Sequence, residues 1–339
     1  MSDATRSRID QLVKRGRQLH RRILDPDVLR GTLPFRASVV RQSAARPDAR
    51  ERERRFREVS ASYAHTVDAR EAIDPRTRVI SIDSLTWWVP LVAPDDPDRV
   101  EHALTHQHFP YRVITQTREV AIGGAMIDIG ANTGRMSIPR VILGDATVAY
   151  CAEPEPLNYE CLVRNVRDNQ LTGLVLPDRL AIGSEDGTVR LERAKSTGGH
   201  RVIDAESTSK REVLDVRVMR LDTWVDVAGI DLNQVRFVKV DVQGSELDVL
   251  RGATRVLGQK HIAWQIEIDL TILARCGVDK ADLYAILQQH FTHFLDLNRH
   301  VTTPRVRSTG ELPAALSYVS GGSDGRTDVV VFNLAHSSA

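Results

Sequence analysis

Cysteine is scarce in this sequence, and its scarcity excludes two kinds of protein. The 339 residues include three cysteines, Cys151, Cys161 and Cys276, and no two of them form a C-x-x-C pair. A disulfide scaffold and a zinc site built on cysteines are therefore excluded, and a reducing compartment is favoured.

Long apolar runs are also absent. No stretch approaches the ~20 apolar residues that a membrane-spanning helix needs. The first residues, MSDATRSRIDQLVKRGRQLHRR, are basic but lack the apolar core of a signal peptide. We therefore expect a cytoplasmic protein with no transmembrane segment.

Glycine is missing where a dinucleotide fingerprint would require it. In a G-x-G-x-x-G loop the three glycine positions would fall on Gly130, Asn132 and Arg135, so only the first is present. This weakens the hypothesis of a nicotinamide-dependent oxidoreductase. The second half of the chain also lacks a basic stripe interleaved with aromatic residues, so nucleic acid is not an expected partner.

Composition and hydrophobic pattern divide the chain into three regions. Residues 1–75 are rich in Arg and Ala, which predicts a basic, mainly helical N-terminal extension through which copies of the chain could associate. Residues 76–124 read as a strand, a loop and a helix, and could form a lid or an acceptor-side region. Residues 125–339 alternate apolar strands with amphipathic helices, which predicts a separate α/β domain.

The third region predicts a doubly wound, mostly parallel, seven-stranded sheet. Helices are expected over Pro154–Asn169 and Ser245–Leu257, with Asp279 capping another. Ligands of such sheets bind at the carboxyl ends of the strands. The expected strands are residues 125–130, 147–153, 174–182, 235–242, 261–269, 292–298 and 328–334.

Polar residues stand where the first two of these strands end. The segment DIGANTG places Asp128, Gly130, Asn132 and Gly134 after an apolar run, which suits either a plain tight turn or a ligand loop. Glu153 ends the next strand, where its two oxygens could accept both hydroxyls of a ribose or simply favour a helix N-terminus. Together they fit a ligand with an amino-acid end and a nucleoside end, namely S-adenosylmethionine.

The fourth strand supplies candidate catalytic groups in the segment FVKVDVQGSELDVLRGA. Lys239 and Asp241 lie at the strand end, and Glu246 opens the next helix, where it could equally be a capping residue. A hydroxyl acceptor needs a base, for which Asp241 is the first candidate and Glu246 the second.

Aromatic and histidine residues before the sheet are weaker candidates. Trp87 and Trp88 could stack on a sugar, although core packing is the commoner role of such residues. In HALTHQHFPY, the residues His106, His108 and Tyr111 could contact a substrate. No carboxylate accompanies the histidines, so we expect no metal site.

Three spaced segments resemble the FkbM-type family of S-adenosylmethionine-dependent methyltransferases. They are DIGANTG (128–134), EPEPLNYECLVRN (153–165) and KVDVQGSELDVLRGA (239–253), and the similarity extends over roughly residues 110–335. Gln243 stands where the family usually has Glu, which removes a charge at that position. The resemblance implies a Rossmann-like class I methyltransferase fold with a reversed final strand.

The resemblance also assigns roles by position. The methionine end of the cofactor would be held by the loop, the ribose by the second strand end and the adenine near the third, with Asp241 beside the methyl group. The implied cofactor residues are Asp128, Gly130, Ala131, Asn132, Gly134, Glu153, Pro154, Ala181 and Asp241, and the implied catalytic residues are Asp241, Glu246 and Lys239.

The predicted function is methyl transfer to a hydroxyl of a sugar, glycolipid or polyketide-type natural product. The acceptor class comes from the resemblance alone. The alternatives are N-methylation of a small molecule and a non-catalytic module that binds a nucleoside ligand or a partner.

Overall fold

The computed structural model describes residues 76–82, 85–90, 111–194, 198–203, 206, 208–298, 304–319 and 326–334. The expected N-terminal extension, residues 1–75, lies outside these ranges, as do His106 and His108, so their roles stay predictions. No helix in the described ranges is long and apolar enough to cross a membrane.

The strands are short and fall into three sheets. They are β1 (Thr77–Ile82), β2 (Leu85–Pro90), β3 (Gly124–Ile129), β4 (Ala146–Ala152), β5 (Val175–Asp178), β6 (Ala181–Gly183), β7 (Gly187–Glu192), β8 (Arg201–Ile203), β9 (Val213–Arg220), β10 (Val235–Val240), β11 (Ala263–Asp269), β12 (His293–Asp296), β13 (Arg307–Ser308) and β14 (Arg326–Phe332).

Helices connect most of these strands. They are α1 (Tyr111–Ala121), α2 (Ser137–Ile142), α3 (Pro156–Asp168), α4 (Leu221–Val227), α5 (Glu246–Arg251), α6 (Thr254–Leu257), α7 (Leu270–Arg275), α8 (Lys280–His290) and α9 (Leu312–Ala315), with a 3-10 turn at Thr309–Glu311. As expected, the Asp279 carboxylate caps α8 by accepting a hydrogen bond from the Ala281 amide.

The main sheet has the strand order β13-β12-β14-β11-β10-β3-β4-β5. Strands β5, β4, β3, β10 and β11 are parallel, and β14 runs antiparallel between β11 and β12. The order reverses between β3 and β10, which is the switch point where ligands bind in such sheets. The sheet has eight strands rather than seven because the two-residue β13 pairs with the edge strand β12.

Alternating side chains on these strands build a separate apolar core on each face of the sheet. Val238 and Val240 of β10 pack in one core with Trp264, whereas Phe237 packs in the other with Met126. Because the strands are buried on both faces, nearly every position in their sequences is apolar.

The hairpin of β1 and β2 packs on helix α3 and explains the tryptophan pair. The Trp88 indole Nε1 donates to Asp168 Oδ2 at 2.6 Å, and the Arg164 guanidinium lies 4.5 Å from the centre of the Trp88 ring. Trp87 and Trp88 are both buried. The two rings are therefore packing residues of the described structure, and sugar stacking is the wrong interpretation for them.

Two expected elements are divided in the structure. The predicted strand 174–182 breaks after Asp178, and its second part, β6, joins a separate sheet with the order β6-β9-β7-β8. The predicted helix Ser245–Leu257 breaks at Gly252, where a Cβ would lie 2.0 Å from the Gly183 carbonyl oxygen. The helix stops there because its backbone packs directly on β6.

Candidate functional site

A cavity of about 330 Å³ lies at the carboxyl edge of the main sheet, at the switch point between β3 and β10. One wall comes from the ends of β3 and β4, a second from β10, β11 and the start of β14, and a third from the small sheet of β6 to β9. Its position is the one expected for the ligand site of a doubly wound fold.

The glycine loop after β3 forms the base of this cavity, where Gly130, Ala131 and Asn132 line it. Gly130 has φ +75°, and a Cβ there would lie 1.9 Å from the Asp241 carbonyl oxygen. Only glycine allows the loop to approach β10 so closely. Gly134 does not line the cavity, because it packs against the side chains of Ile138 and Leu162.

Glu153 connects the loop to the end of β4. Its Oε2 accepts a hydrogen bond from the Asn132 amide at 2.7 Å, and its Oε1 accepts one from the Glu155 amide at 3.0 Å. Burial raises the pKa of Glu153 to about 7 despite these two bonds. Each oxygen keeps a second lone pair, so the carboxylate can still accept two ligand hydroxyls. Pro154 lines the cavity beside it.

The wall on the side of β6 is apolar. Leu180, Ala181 and Ile182 line it together with Leu191 and Val202 of the small sheet. Ala181 was expected near an adenine, and the apolar side chains around it suit an aromatic ring.

A polar row crosses four neighbouring strands beneath the cavity: Asp128 of β3, Lys239 of β10, Gln265 of β11 and Asp328 of β14. Lys239 is paired in register with Asp128 on one side and Gln265 on the other. The Lys239 ammonium lies 3.1 Å from Asp241 Oδ2 and 3.8 Å from Asp128 Oδ1. Burial alone would lower the pKa of Lys239, but the two carboxylates raise it, so this residue stays charged and cannot act as a base.

Asp128 lies outside the cavity lining, contrary to its expected contact with the methionine end of a cofactor. Its side chain is fully buried under Lys239, and burial raises its pKa. The structure therefore makes Asp128 a partner of Lys239 rather than a wall residue.

Asp241 and Glu267 form a carboxylate pair at the upper edge of the polar row. The Gln243 amide donates to Asp241 Oδ1 at 3.0 Å and to Glu267 Oε2 at 2.5 Å, so one side chain bridges both. Although burial would raise the pKa of Asp241, Lys239 and Gln243 hold it below its usual range. Burial and the charge of Asp241 instead raise the pKa of Glu267. Two neighbouring carboxyls with opposite shifts are the pattern of an acid–base pair.

The end of the polar row carries hydrogen-bond acceptors. Gln265 Nε2 donates to Asp328 Oδ1 at 2.8 Å, while the buried Gln265 Oε1 has no partner among the described residues. Both residues line the cavity. A ligand that donates hydrogen bonds would satisfy this end of the site.

Glu246 is not a cavity residue. Its carboxylate accepts hydrogen bonds from the Gly244 amide at 3.0 and 3.1 Å and from the Val242 amide at 3.3 Å, and burial raises its pKa to about 7. Glu246 therefore holds the loop between β10 and α5, and it is not among the cavity residues that could act as a base. Tyr111 begins α1, but its side chain lies outside the described part of the structure.

Several wall residues are not predicted from the sequence, among them Arg135, His200, Glu267 and Asp328. Arg135 could have been noticed, since it directly follows the glycine loop. Glu267 and Asp328 face each other across the antiparallel pair of β11 and β14, a register that no sequence pattern specifies. In the described residues, no three His, Cys, Asp or Glu side chains are grouped to hold a metal ion.

Comparison with known proteins gives a family and two curated relatives. Residues 128–294 match the family model described as the methyltransferase FkbM domain. The chain is 26% identical over 176 residues to the hexuronic acid methyltransferase AglP of Haloferax volcanii, a match that covers 51% of this chain and 65% of that protein. It is 26% identical over 168 residues to methyltransferase 1 of Beauveria bassiana, covering 44% and 64%.

Both matches thus span a little less than two thirds of the relatives' length. Among solved structures, the chain is similar to a methyltransferase FkbM of Methylobacillus flagellatus, with 16% identity, a TM-score of 0.38 and coverage of 62% of this chain and 43% of that one. It is also similar to TYW2 of P. horikoshii in complex with MeSAdo, with 10% identity, a TM-score of 0.38 and coverage of 77% and 71%.

Proposed function

Because residues 128–294 belong to the FkbM family of methyltransferases, we propose that this protein transfers a methyl group from S-adenosylmethionine to a hydroxyl group of a sugar-containing acceptor. The proposal rests above all on one observation, the Asp241–Gln243–Glu267 arrangement at the cavity edge, of which only the Asp241 end adjoins the glycine loop. Two neighbouring carboxyls with oppositely shifted pKa values at the cavity edge support a role in accepting the hydroxyl proton.

The wall residues fit the methyl donor in three places. Glu153 accepts the ribose hydroxyls, the surface around Ala181 receives the adenine, and Arg135 offers a guanidinium to the carboxylate of the methionine end. S-adenosylmethionine supplies a methyl group already activated on a sulfonium, so the protein needs mainly to position the acceptor and exclude water.

Glu267 acts as the base in this proposal. It takes the hydroxyl proton as the oxygen attacks, and its raised pKa makes it a stronger base than Asp241. Asp241 stays ionised beside Lys239, and Gln243 holds both carboxyls in place. The neutral Gln243 amide can donate to both groups, which a Glu at this position could not do when ionised.

A hydroxyl group suits the acceptor side of the cavity. The groups available there are the carboxyls of Glu267 and Asp328, the unpartnered Oε1 of Gln265 and the side chain of Arg326. Neighbouring hydroxyls of a sugar ring can donate to the first three groups, and Arg326 offers a positive charge to the carboxylate of a sugar acid. The relative named for hexuronic acid supports a sugar acid or a related sugar as the acceptor.

Two matched acceptors test this choice. The protein is incubated with S-adenosylmethionine and either a methyl glucoside or the corresponding methyl glucuronoside. The masses of the products are then measured by mass spectrometry. We expect a product that survives mild base, as a methyl ether does. A product formed only from the glucuronoside and cleaved by mild base would be a methyl ester and would contradict transfer to a hydroxyl.

Replacing Glu153 is expected to weaken cofactor binding in a pH-dependent way. Because burial raises the pKa of Glu153 to about 7, the wild type should lose affinity for S-adenosylhomocysteine as the pH falls below about 7. Glu153→Gln should bind about 10–100-fold more weakly at pH 8, since a hydrogen bond to a charged group is lost, and its affinity should not change with pH. Calorimetric titration between pH 5.5 and 8.5 measures both effects.

Glu185→Gln is the control for this experiment, because Glu185 is exposed and lies outside the cavity lining. It should bind like the wild type at every pH. Equal affinities of the wild type and Glu153→Gln across the range would remove Glu153 from the cofactor site.

A further inference from the structure

His200 is a wall residue that no part of the proposed reaction uses. It directly precedes β8 in the small sheet and lines the cavity together with Leu191 and Val202. The small sheet is an insertion between β5 and β10 of the main sheet, so His200 approaches the cavity from outside the doubly wound core.

The backbone fixes the tautomer of this histidine. The Ala194 amide donates a hydrogen bond of 3.0 Å to His200 Nδ1, so Nδ1 carries a lone pair and the proton of the neutral ring sits on Nε2. Burial, with the nearby charge of Arg193, lowers the pKa of His200 to about 4, which keeps the ring neutral at physiological pH. His200 thus presents a single N–H donor, and among the described residues nothing accepts from it.

The surroundings place His200 on the nucleoside side of the cavity. A Cβ at Gly198 would lie 4.0 Å from Asn132 Nδ2, so this segment reaches the glycine loop. Arg193 pairs at 2.8 Å with Glu155, two residues after the proposed ribose ligand Glu153. Leu191 and Val202 pack with Ala181, which borders the proposed adenine surface. The carboxyls of the acceptor side, Asp241, Glu267 and Asp328, lie on the opposite side, at the end of β10 and on β11 and β14.

We propose that His200 donates a hydrogen bond from Nε2 to a ring nitrogen of the adenine and so selects an adenine nucleoside over other bases. This inference rests on the proposed function, because it assumes that the cavity holds S-adenosylmethionine. An apolar slot alone would accept any flat ring, whereas a fixed donor discriminates by the position of the ring's lone pairs.

The test is calorimetric titration with S-adenosylhomocysteine and with its 1-deaza, 3-deaza and 7-deaza analogues, each of which replaces one ring nitrogen by C–H. We expect one analogue to bind the wild type about tenfold more weakly than the parent. The same analogue and the parent should bind His200→Ala equally, and His200→Gln, which keeps an N–H at a similar reach, should recover part of the difference. His293→Ala, on the distant strand β12, is the control and should behave as the wild type.

The outcomes separate the inference from the proposed function. One outcome is that the wild type binds S-adenosylhomocysteine and loses the same affinity as His200→Ala for every deaza analogue relative to the parent. In that case the adenine assignment is overturned while the cofactor site stands. If a 2′-deoxyribose analogue shows the His200-dependent loss instead, the donor serves the ribose and the proposal is again overturned. If the wild type binds none of the ligands, the proposed function itself fails. The ¹⁵N shift of His200 Nε2 in the wild type, expected to move on ligand addition, gives the answer even if His200→Ala does not fold.

Discussion

Glu267→Gln is expected to lower kcat by about 10²–10⁴-fold, the range typical for the loss of a general base. Gln keeps the size of the side chain but cannot take up the hydroxyl proton, and the Gln243 amide still has an oxygen to donate to. Affinity for S-adenosylhomocysteine should stay near that of the wild type, because Glu267 lies on β11, away from the glycine loop. Steady-state kinetics with a sugar acceptor, beside the calorimetric titration, measures the two effects.

The pH profile distinguishes a base from a residue that only positions the acceptor. With Glu267 as the base, kcat/KM of the wild type rises with pH through an apparent pKa above that of an ordinary Glu, because burial and Asp241 raise it. Asp241→Asn removes the neighbouring negative charge, so the pKa of Glu267 falls and the acid limb should move to lower pH. An acid limb that stays in place, or a Glu267→Gln variant with the kcat of the wild type, would exclude this role. Glu185→Gln again serves as the exposed control.

The second large effect concerns stability rather than turnover. Lys239→Met should lower the free energy of unfolding at pH 8 by about 3–5 kcal/mol, the usual cost of removing one partner of a buried ion pair. Lys239 is only 6% exposed and lies between Asp128, which is fully buried, and Asp241. Met fills a similar volume but removes the ammonium that pairs with the buried Asp128 carboxylate.

The destabilisation should depend on pH in a definite direction. Burial already raises the pKa of Asp128, and the loss of Lys239 raises it further. A carboxyl whose pKa is higher in the folded state than in the unfolded state loses stability as the pH rises, so Lys239→Met should be less impaired at pH 5 than at pH 8. Chemical denaturation at both values measures this, and adding Asp128→Asn should restore part of the loss.

Lys280→Met is the matched control for this prediction. Lys280 is exposed at the start of α8, so the free energy of unfolding should change by at most about 0.5 kcal/mol. If Lys239→Met and Lys280→Met unfold at the same denaturant concentration at both pH values, the polar row contributes nothing to stability and Asp128 is not held by Lys239.

The sequence predicts the strands of the main sheet well because both faces are buried. Seven apolar runs correspond to strands, and the reversed final strand follows from the family resemblance. The break at Gly252 and the departure of β6 into a second sheet could not be predicted, since both depend on contact between β6 and the segment before α6, which are distant in the chain. Hydrophobic periodicity indicates which face of a helix or strand is buried, but it does not indicate which other element covers that face.

The candidate site also contains some residues that the sequence predicts and others that it does not. Gly130, Glu153 and Asp241 could be predicted because each directly follows a strand, and Asn132 because it belongs to the glycine loop after β3. Asp128 was expected in the wall but lies below it, because its burial depends on the register that pairs it with Lys239 on the neighbouring strand. Glu267 was missed because its raised pKa arises from burial in the fold and then from Asp241 and Asp328, which come from the strands on either side of its own.

Titration of the purified protein with S-adenosylhomocysteine measures cofactor binding without any knowledge of the acceptor. We expect a single site with micromolar affinity at pH 8 and no heat with NAD under the same conditions. Glu267→Gln should bind like the wild type, whereas Glu153→Gln should bind more weakly. A folded wild-type protein that gives no heat with S-adenosylhomocysteine, or that binds NAD in its place, would show that the cavity is not a site for S-adenosylmethionine.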